Sequence, residues 1–335
     1  MTSLRVVFFG SPAFAAPSLA ALLEAGIPVP LVVSQPDRPV GRSSEPRPTA
    51  VAALAAASGI PVEKPARIRG DAAFLARLAS AAPDAIAVVA YGRILPPEVL
   101  HLPRLGCVNV HASLLPRYRG ASPIQAAIAA GDAETGVVTM RLVDELDAGP
   151  LYLETRVAIG PGETAGQLSE RLALIGGTLL VETLQGLASG TLSPREQQGE
   201  PSFCRPIRRE DGEVDWSLPA AAIARRLRAF TPWPGLHTFA GAERIKILEA
   251  VEAEGESVGE AGKPGPAEEA RKPGPAGEAG KPGMFRVESG RLLVAAGAGR
   301  ALEVRRAQRA GKGPVTGAEL ARSLPGSVRR FGKAG

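Results

Sequence analysis

Six consecutive apolar residues, Ala85-Ile86-Ala87-Val88-Val89-Ala90, leave a strand at this place with no polar face to turn toward water. Such a strand must be covered on both sides, as in the middle of a sheet flanked by helices. The surrounding sequence supplies the other layers. Leu4-Arg5-Val6-Val7-Phe8-Phe9 is a second short apolar run and ends in Gly10-Ser11-Pro12. Ser11 is expected to cap a helix whose first turn accepts Pro12. Leu19, Leu22 and Leu23 then give that helix an apolar stripe. Val29 to Val33 reads as strand, Ala52 to Ala57 as helix and Pro61-Val62 as a short strand. Asp71 caps a helix carrying Phe74, Leu75 and Leu78, and Cys107-Val108-Asn109-Val110 is another strand. Strand and helix alternate at the spacing of parallel crossovers. The class expected for residues 1–190 is therefore α/β, a Rossmann-like open sheet. Val137 to Val143 and Leu151 to Val157 add strands, and the amphipathic helix Glu163 to Leu187 closes the domain.

Several function classes drop out. Gly10-Ser11-Pro12 stands where a dinucleotide fold carries Gly-x-Gly-x-x-Gly, and the missing glycines argue against a pyrophosphate on the first helix. Cys107 and Cys204 give neither a disulfide framework nor a zinc spacing. His101, His111 and His237 lie outside metal-ligand spacing of one another, so no metal is expected. No run of eighteen apolar residues suggests a membrane span. Arg5 before a four-residue apolar run is a poor match to a signal peptide. The chain reads as cytoplasmic, with two reduced core thiols.

Residues 191–208, with Gly199 and Pro201, read as a linker. Short alternating runs follow across 209–335, at Ile245 to Leu248, Phe285 to Val287, Leu292 to Val294 and Leu302 to Val304. They suggest a small β-barrel, OB-like. Inside it Lys263-Pro264-Gly265, Lys272-Pro273-Gly274 and Lys281-Pro282-Gly283 recur with a period of nine. Proline, glycine and charge without large apolar residues cannot form a core, so about 253–282 is read as a disordered insertion. From Met284 onward eleven Lys or Arg face three acids, a local charge of +8, within a net charge of +5. A basic end on a near-neutral body suits a polyanion such as nucleic acid. A solvated basic surface accounts for it equally well.

Asn109 and His111 are two residues apart on a strand and so point to the same side. An amide donor beside an imidazole is suited to clamp the oxyanion of an acyl transfer. Ser113-Leu114-Leu115-Pro116 follows as an apolar lip, and Arg117, Arg119 and Gly120 read as a basic exposed turn. Asp144-Glu145-Leu146-Asp147 places three carboxylates after an apolar strand, one of which can serve the histidine. Taken alone, the first pattern is more often a structural pair, and the second a solvated acidic turn.

Asn-Val-His-x-Ser-Leu-Leu-Pro-x-Tyr-Arg-Gly at 109–120 resembles the signature of the folate-dependent formyltransferases. Phe9-Gly10-Ser11-Pro12-x-Phe14-Ala15 fits the same family. So does Leu146-Asp147-Ala148-Gly149-Pro150, and Val88-Val89-Ala90-Tyr91-Gly92-x-Ile94-Leu95 is similar to the strand and loop lining its folate pocket. The resemblance implies Asn109, His111 and Asp147 as catalytic residues, with folate against Ser113, Leu114, Leu115 and Pro116. It implies 10-formyltetrahydrofolate as formyl donor, no metal, and a monomer away from any membrane. Ser34 to Arg42, Phe230-Thr231-Pro232-Trp233-Pro234 and the basic C-terminal domain resemble the members that act on initiator methionyl-tRNA. That implies Arg42 at the acceptor end of the tRNA and transfer of the formyl group onto the methionyl α-amine. After Arg42 the loop reads Ser43-Ser44-Glu45-Pro46-Arg47, where the family often has lysines. The alternative is a relative, transferase or hydrolase, with a small-molecule acceptor.

Overall fold

The computed structural model describes residues 4–39, 45–257 and 280–332. Arg42 and most of the nine-residue repeat lie outside the described residues. The chain divides into two compact units. The first takes in Met1–Ala127, Ala133–Gly160 and Gln167–Pro206, and the second Ile128–Asp132, Pro161–Gly166 and Ile207–Gly335.

The first unit is built on β1 (Val6–Gly10), β2 (Val32–Val33), β3 (Val62–Glu63), β4 (Ala85–Val89), β5 (Cys107–His111), β6 (Glu134–Arg141) and β7 (Leu151–Ala158). Their order across the sheet is β7-β6-β5-β4-β1-β2-β3. Strands β1 to β5 run parallel, whereas β6 is antiparallel to both β5 and β7. The sheet is thus mixed, with an antiparallel pair at one end, as large α/β sheets often are. Every residue of β1, β4 and β5 is buried, which for β1 and β4 is what their unbroken apolar runs require. Val7, Phe9, Val33, Ile86, Val88 and Tyr91 belong to one core cluster. Each such side chain contributes on the order of 2 kcal/mol by leaving water.

Helices α1 (Ala16–Glu24), α2 (Ala50–Ala57), α3 (Ala72–Ser80) and α4 (Ala165–Ser189) cover the sheet. Ser11 does not cap α1. Its hydroxyl accepts the Gln35 N–H at 3.1 Å and is 3.4 Å from Ser34 Oγ, and a short 3-10 turn, Ala13–Ala15, leads into the helix. The polar side chain is used to tie the ends of β1 and β2 together. Asp71 does cap α3, accepting from Phe74 N at 2.9 Å. α4 is long and apolar enough to cross a membrane by length and composition. Here its Leu168, Leu172, Leu180 and Leu184 are buried, and Thr183 Oγ1 is 2.7 Å from Thr139 Oγ1 of β6. Gly176 lets α4 approach β5 closely, since a Cβ there would lie 2.8 Å from Val110 Cγ1.

The segment expected to be a linker is part of this unit as far as Pro206. Phe203–Cys204 pairs in parallel with Arg119–Gly120, and Arg195 bridges Leu151. Its polar, Gly/Pro-rich composition hid this, because its backbone is satisfied by another loop and not by a helix or a long ladder.

In the second unit, α5 (Ala220–Ala229) precedes β8 (Leu236–Ala240), β9 (Glu243–Ser257), β10 (Phe285–Glu288), β11 (Arg291–Ala295), β12 (Arg300–Arg309) and β13 (Pro314–Thr316), followed by α6 (Gly317–Ser323). The order is β8-β9-β12-β11-β10, with β13 on β12. Residues 253–257, expected in the insertion, continue β9, and Ser257 pairs with Arg300. The two outer strands are joined by the same short segment. Phe331 bridges Ala240 beside one edge, and Arg330 bridges Met284 beside the other. Phe331 stacks on Phe285 at 4.6 Å and on Trp216 at 6.1 Å, and the Trp216 indole N–H donates to Thr238 Oγ1 at 3.0 Å.

Candidate active site

β5 delivers two polar side chains into an otherwise apolar layer. Asn109 is 9% exposed and His111 6%. His111 is the last residue of the strand, and the alternating Val110 packs on the other face against Gly176 of α4. Burial of this kind demands partners, and His111 has them. Its Nε2 is 3.0 Å from the Tyr118 carbonyl oxygen, which can only accept, so Nε2 carries a proton. That fixes Nδ1 as the nitrogen facing Asp147 Oδ2, 3.7 Å away. The separation exceeds a direct hydrogen bond and lies within ion-pair range. Asp147 Oδ2 also accepts the Gly120 N–H at 2.8 Å. Among the described residues no protein group bonds the Asn109 amide, whose donors stay unspent next to the imidazole.

Both partners of His111 come from strained backbone. Tyr118 has φ +59° and Asp147 φ +49°, the left-handed region that side chains rarely adopt. Gly120, at φ +117°, is required for a second reason: a Cβ there would lie 2.2 Å from Cys204 O. The 118–121 loop is held against 202–204 by Tyr118 N to Ser202 Oγ at 2.9 Å, Arg119 N to Ser202 O at 2.8 Å and Ala121 N to Cys204 O at 3.1 Å.

A general family description, formyl transferase, matches residues 4–184, and its C-terminal domain matches 206–325. A methionyl-tRNA formyltransferase of Acidobacterium capsulatum is 45% identical over 316 residues, 93% of this chain and 95% of that protein. One of Anaeromyxobacter dehalogenans is 43% identical over 332 residues, 98% and 100% of the two chains. The chain belongs to the methionyl-tRNA formyltransferase family. Among solved structures, a sugar 3N-formyltransferase with dTDP and 5-N-formyl-THF superposes with a TM-score of 0.63 at 15% identity, covering 93% of this chain and all of that one. The methionyl-tRNA formyltransferase of Clostridium thermocellum gives 0.52 at 15% identity, over 76% and 95%. These two likenesses concern the fold.

The remaining expected site residues of this formyltransferase are placed unevenly. The Ser113 hydroxyl is fully buried and donates to Arg117 O at 2.6 Å, so it shapes the turn and presents nothing to a ligand. Leu115 packs in the core with Val138, Met140 and Leu151, and Pro116 is buried. Only Leu114 of that lip is partly exposed. Open apolar side chains are found instead at Leu146, one residue before Asp147 (56% exposed), and at Ile94 after β4 (83% exposed). Arg117 is exposed, as expected for a basic turn, but Arg119 is not: it is 9% exposed and bonded to Gln197 and Glu145. Gln197 had no recognisable signal, being a single amide in a polar stretch.

A cavity of about 400 Å³ opens between Gln35, Arg38, Arg47, Thr49 and Tyr91. Arg38 and Arg47 stand opposite each other on a two-residue ladder. In the second unit much of the basic surplus is neutralised internally. Arg309 pairs with Glu243 at 2.6 Å, Arg300 with Glu252 at 2.9 Å and Arg291 with Glu303 at 3.1 Å. Two of those acids lie on β9, outside the segment counted as +8. Exposed Arg306 and Arg329 have no ion pair among the described residues, whereas the Lys312 charge acts on Glu243.

Proposed function

We propose that Asn109, His111 and Asp147 transfer the formyl group of a folate donor, 10-formyltetrahydrofolate, to the α-amine of initiator methionyl-tRNA, giving N-formylmethionyl-tRNA. The observation that carries this reading is an unspent Asn109 amide beside a histidine whose two nitrogens have assigned neighbours. The neutral amine attacks the formyl carbon, forming the new C–N bond and a tetrahedral oxyanion. The Asn109 amide donates to that oxyanion in a site shielded from water, where a fixed dipole acts most strongly. The attacking nitrogen then loses its proton and the folate nitrogen gains one as the old C–N bond breaks. His111 and Asp147 form the proton path, with Nδ1 and Oδ2 facing each other and Nε2 anchored on Tyr118.

Leu146 and Ile94 provide apolar surface for a flat donor. They take the place of the buried Leu115 and Pro116 in that role. Arg38 and Arg47, like charges directly opposite each other, destabilise their own ladder. An anion laid across them removes that cost, which favours a polyanionic acceptor over a small neutral amine. Arg42, between them in sequence, is read as reaching the acceptor end.

The test is formyl transfer from 10-formyltetrahydrofolate by the purified protein, offered methionyl initiator tRNA or glycinamide ribonucleotide as acceptor. Acid-stable label on the methionyl-tRNA is the expected result. Transfer to the nucleotide alone would overturn the assignment of the acceptor.

A further inference from the structure

We infer that Gln197 is a positioning residue for Asp147, locking the carboxylate's turn at its working distance from His111. The inference rests on the reading of Asp147 as part of the proton path. The Gln197 side chain is fully used. Its Nε2 donates to Asp147 O at 2.7 Å and to Gly149 O at 2.9 Å. Its Oε1 accepts from Arg119 Nη2 at 2.9 Å and from Arg119 Nε at 3.2 Å. Two carbonyls on one end and a guanidinium on the other also fix which way the amide points. A flipped amide would set oxygen against oxygen and NH2 against a cation.

The grip extends along the whole turn. Arg119 Nη1 reaches Glu145 Oε1 at 3.2 Å, so the turn is held at residues 145, 147 and 149. Asp147 has φ +49° and is held there by its surroundings. The residue after Arg119 is Gly120, whose N–H fixes Asp147 Oδ2. One amide therefore ties the Asp147 backbone to the same short strand that holds its side chain. Gln197 bonds neither Asn109 nor His111 and has no proton to exchange, so it acts through geometry alone. Small misplacement of a reacting group is costly in turnover.

The test compares wild type with Gln197→Leu, Gln197→Glu, Asp147→Asn and the double variant Asp147→Asn/Gln197→Leu, measuring kcat, both KM values and Tm. Leucine removes all four bonds at similar size. Glutamate keeps a partner for Arg119 but turns an oxygen on the two carbonyls, and it carries the test should the leucine variant fail to fold. The expected result is a fall in kcat of about tenfold or more with KM values within about threefold, for a group that acts only in positioning. The double variant should be no slower than Asp147→Asn alone by more than about twofold, since residues acting as a unit are not additive. Wild-type kcat in the Gln197 variants, a loss confined to KM, or full additivity with Asp147→Asn would each overturn the inference. Wild-type kcat in Asp147→Asn would instead remove the catalytic reading of that carboxylate, so the two failures are told apart.

Discussion

His111 and Asp147 face each other across 3.7 Å, Nδ1 toward Oδ2, while the opposite ring nitrogen is tied to Tyr118 O. The imidazole is therefore oriented from both sides, whereas the neighbouring Asn109 amide has no protein partner among the described residues. Asn109→Ala removes only that donor. Turnover should fall by about 100- to 1000-fold, as for loss of a single oxyanion donor. Formation of formylmethionyl-tRNA under saturating substrates measures it. A loss of only a few-fold would place the oxyanion elsewhere.

Gly120→Ala should damage both stability and rate. The added Cβ meets Cys204 O at 2.2 Å in a backbone at φ +117°, so the loop must move and Gly120 N leaves Asp147 Oδ2. Strain of this kind costs about 1–3 kcal/mol. A lowered denaturant midpoint together with reduced kcat is expected, and an unchanged midpoint contradicts the clash.

Acid should destabilise the protein in a defined range. A side-chain hydrogen bond from Arg309 lowers the Glu243 pKa, one from Ser217 lowers that of Asp215, and the Arg5 N–H lowers that of Asp84. With folded values below the unfolded ones, the stabilisation is complete above the ordinary carboxylate range, about 4. It is lost as pH falls through the folded values. Thermal melting should be nearly flat from pH 6 to pH 5 and drop below about pH 4. Arg309→Ala should make that drop shallower; a profile identical to wild type would deny the pair any role.

The thiols should be inert in the native state. Burial pushes the Cys107 thiol up to about 12, and burial also raises Cys204. Since the thiolate is the reactive species, alkylation by iodoacetamide near neutral pH should be slow until the protein is denatured. Rapid labelling of Cys107 in the folded enzyme would show that β5 opens.

Cations with and without internal partners should behave differently. Arg306→Ala and Arg329→Ala should raise KM for tRNA and reduce its salt dependence by about one counterion each, as phosphate contacts do. Arg309→Ala, whose guanidinium is bonded to Glu243, should lower Tm with less effect on that slope. Equal salt slopes for all three would mean the ion pairs do not select among the cations.

The sequence made the buried strands legible because a strand covered on both faces has no polar positions, as Ala85–Val89 shows. Asn109 and His111 were legible because a strand's alternation is local. Asp147 could be singled out among three acids only through the family pattern; in space it is the one that Gly120 N and His111 converge on. Ser11 and Arg119 were misread for one reason, and the Ser113 hydroxyl is engaged in the same way. Each polar side chain is satisfied by a residue on its own or another loop, and such pairings leave no trace in spacing. The basic end leaves fewer free cations than its charge count, because Glu243 and Glu252, far away in sequence, pair with Arg309 and Arg300 on β12.

The pairing of Arg119–Gly120 with Phe203–Cys204 sets an order of events during synthesis. Six of the seven strands of the sheet and the side chains of Asn109, His111 and Asp147 are encoded by residue 147, yet the 118–121 loop that bonds the carboxylate lacks its partner until some fifty-seven further residues have been added, up to Cys204. A nascent chain stopped between these points carries Asn109, His111 and Asp147 without the segment that holds the Gly120 loop against the carboxylate. The backbone that completes this loop comes last, in the stretch that composition alone would assign to a tether.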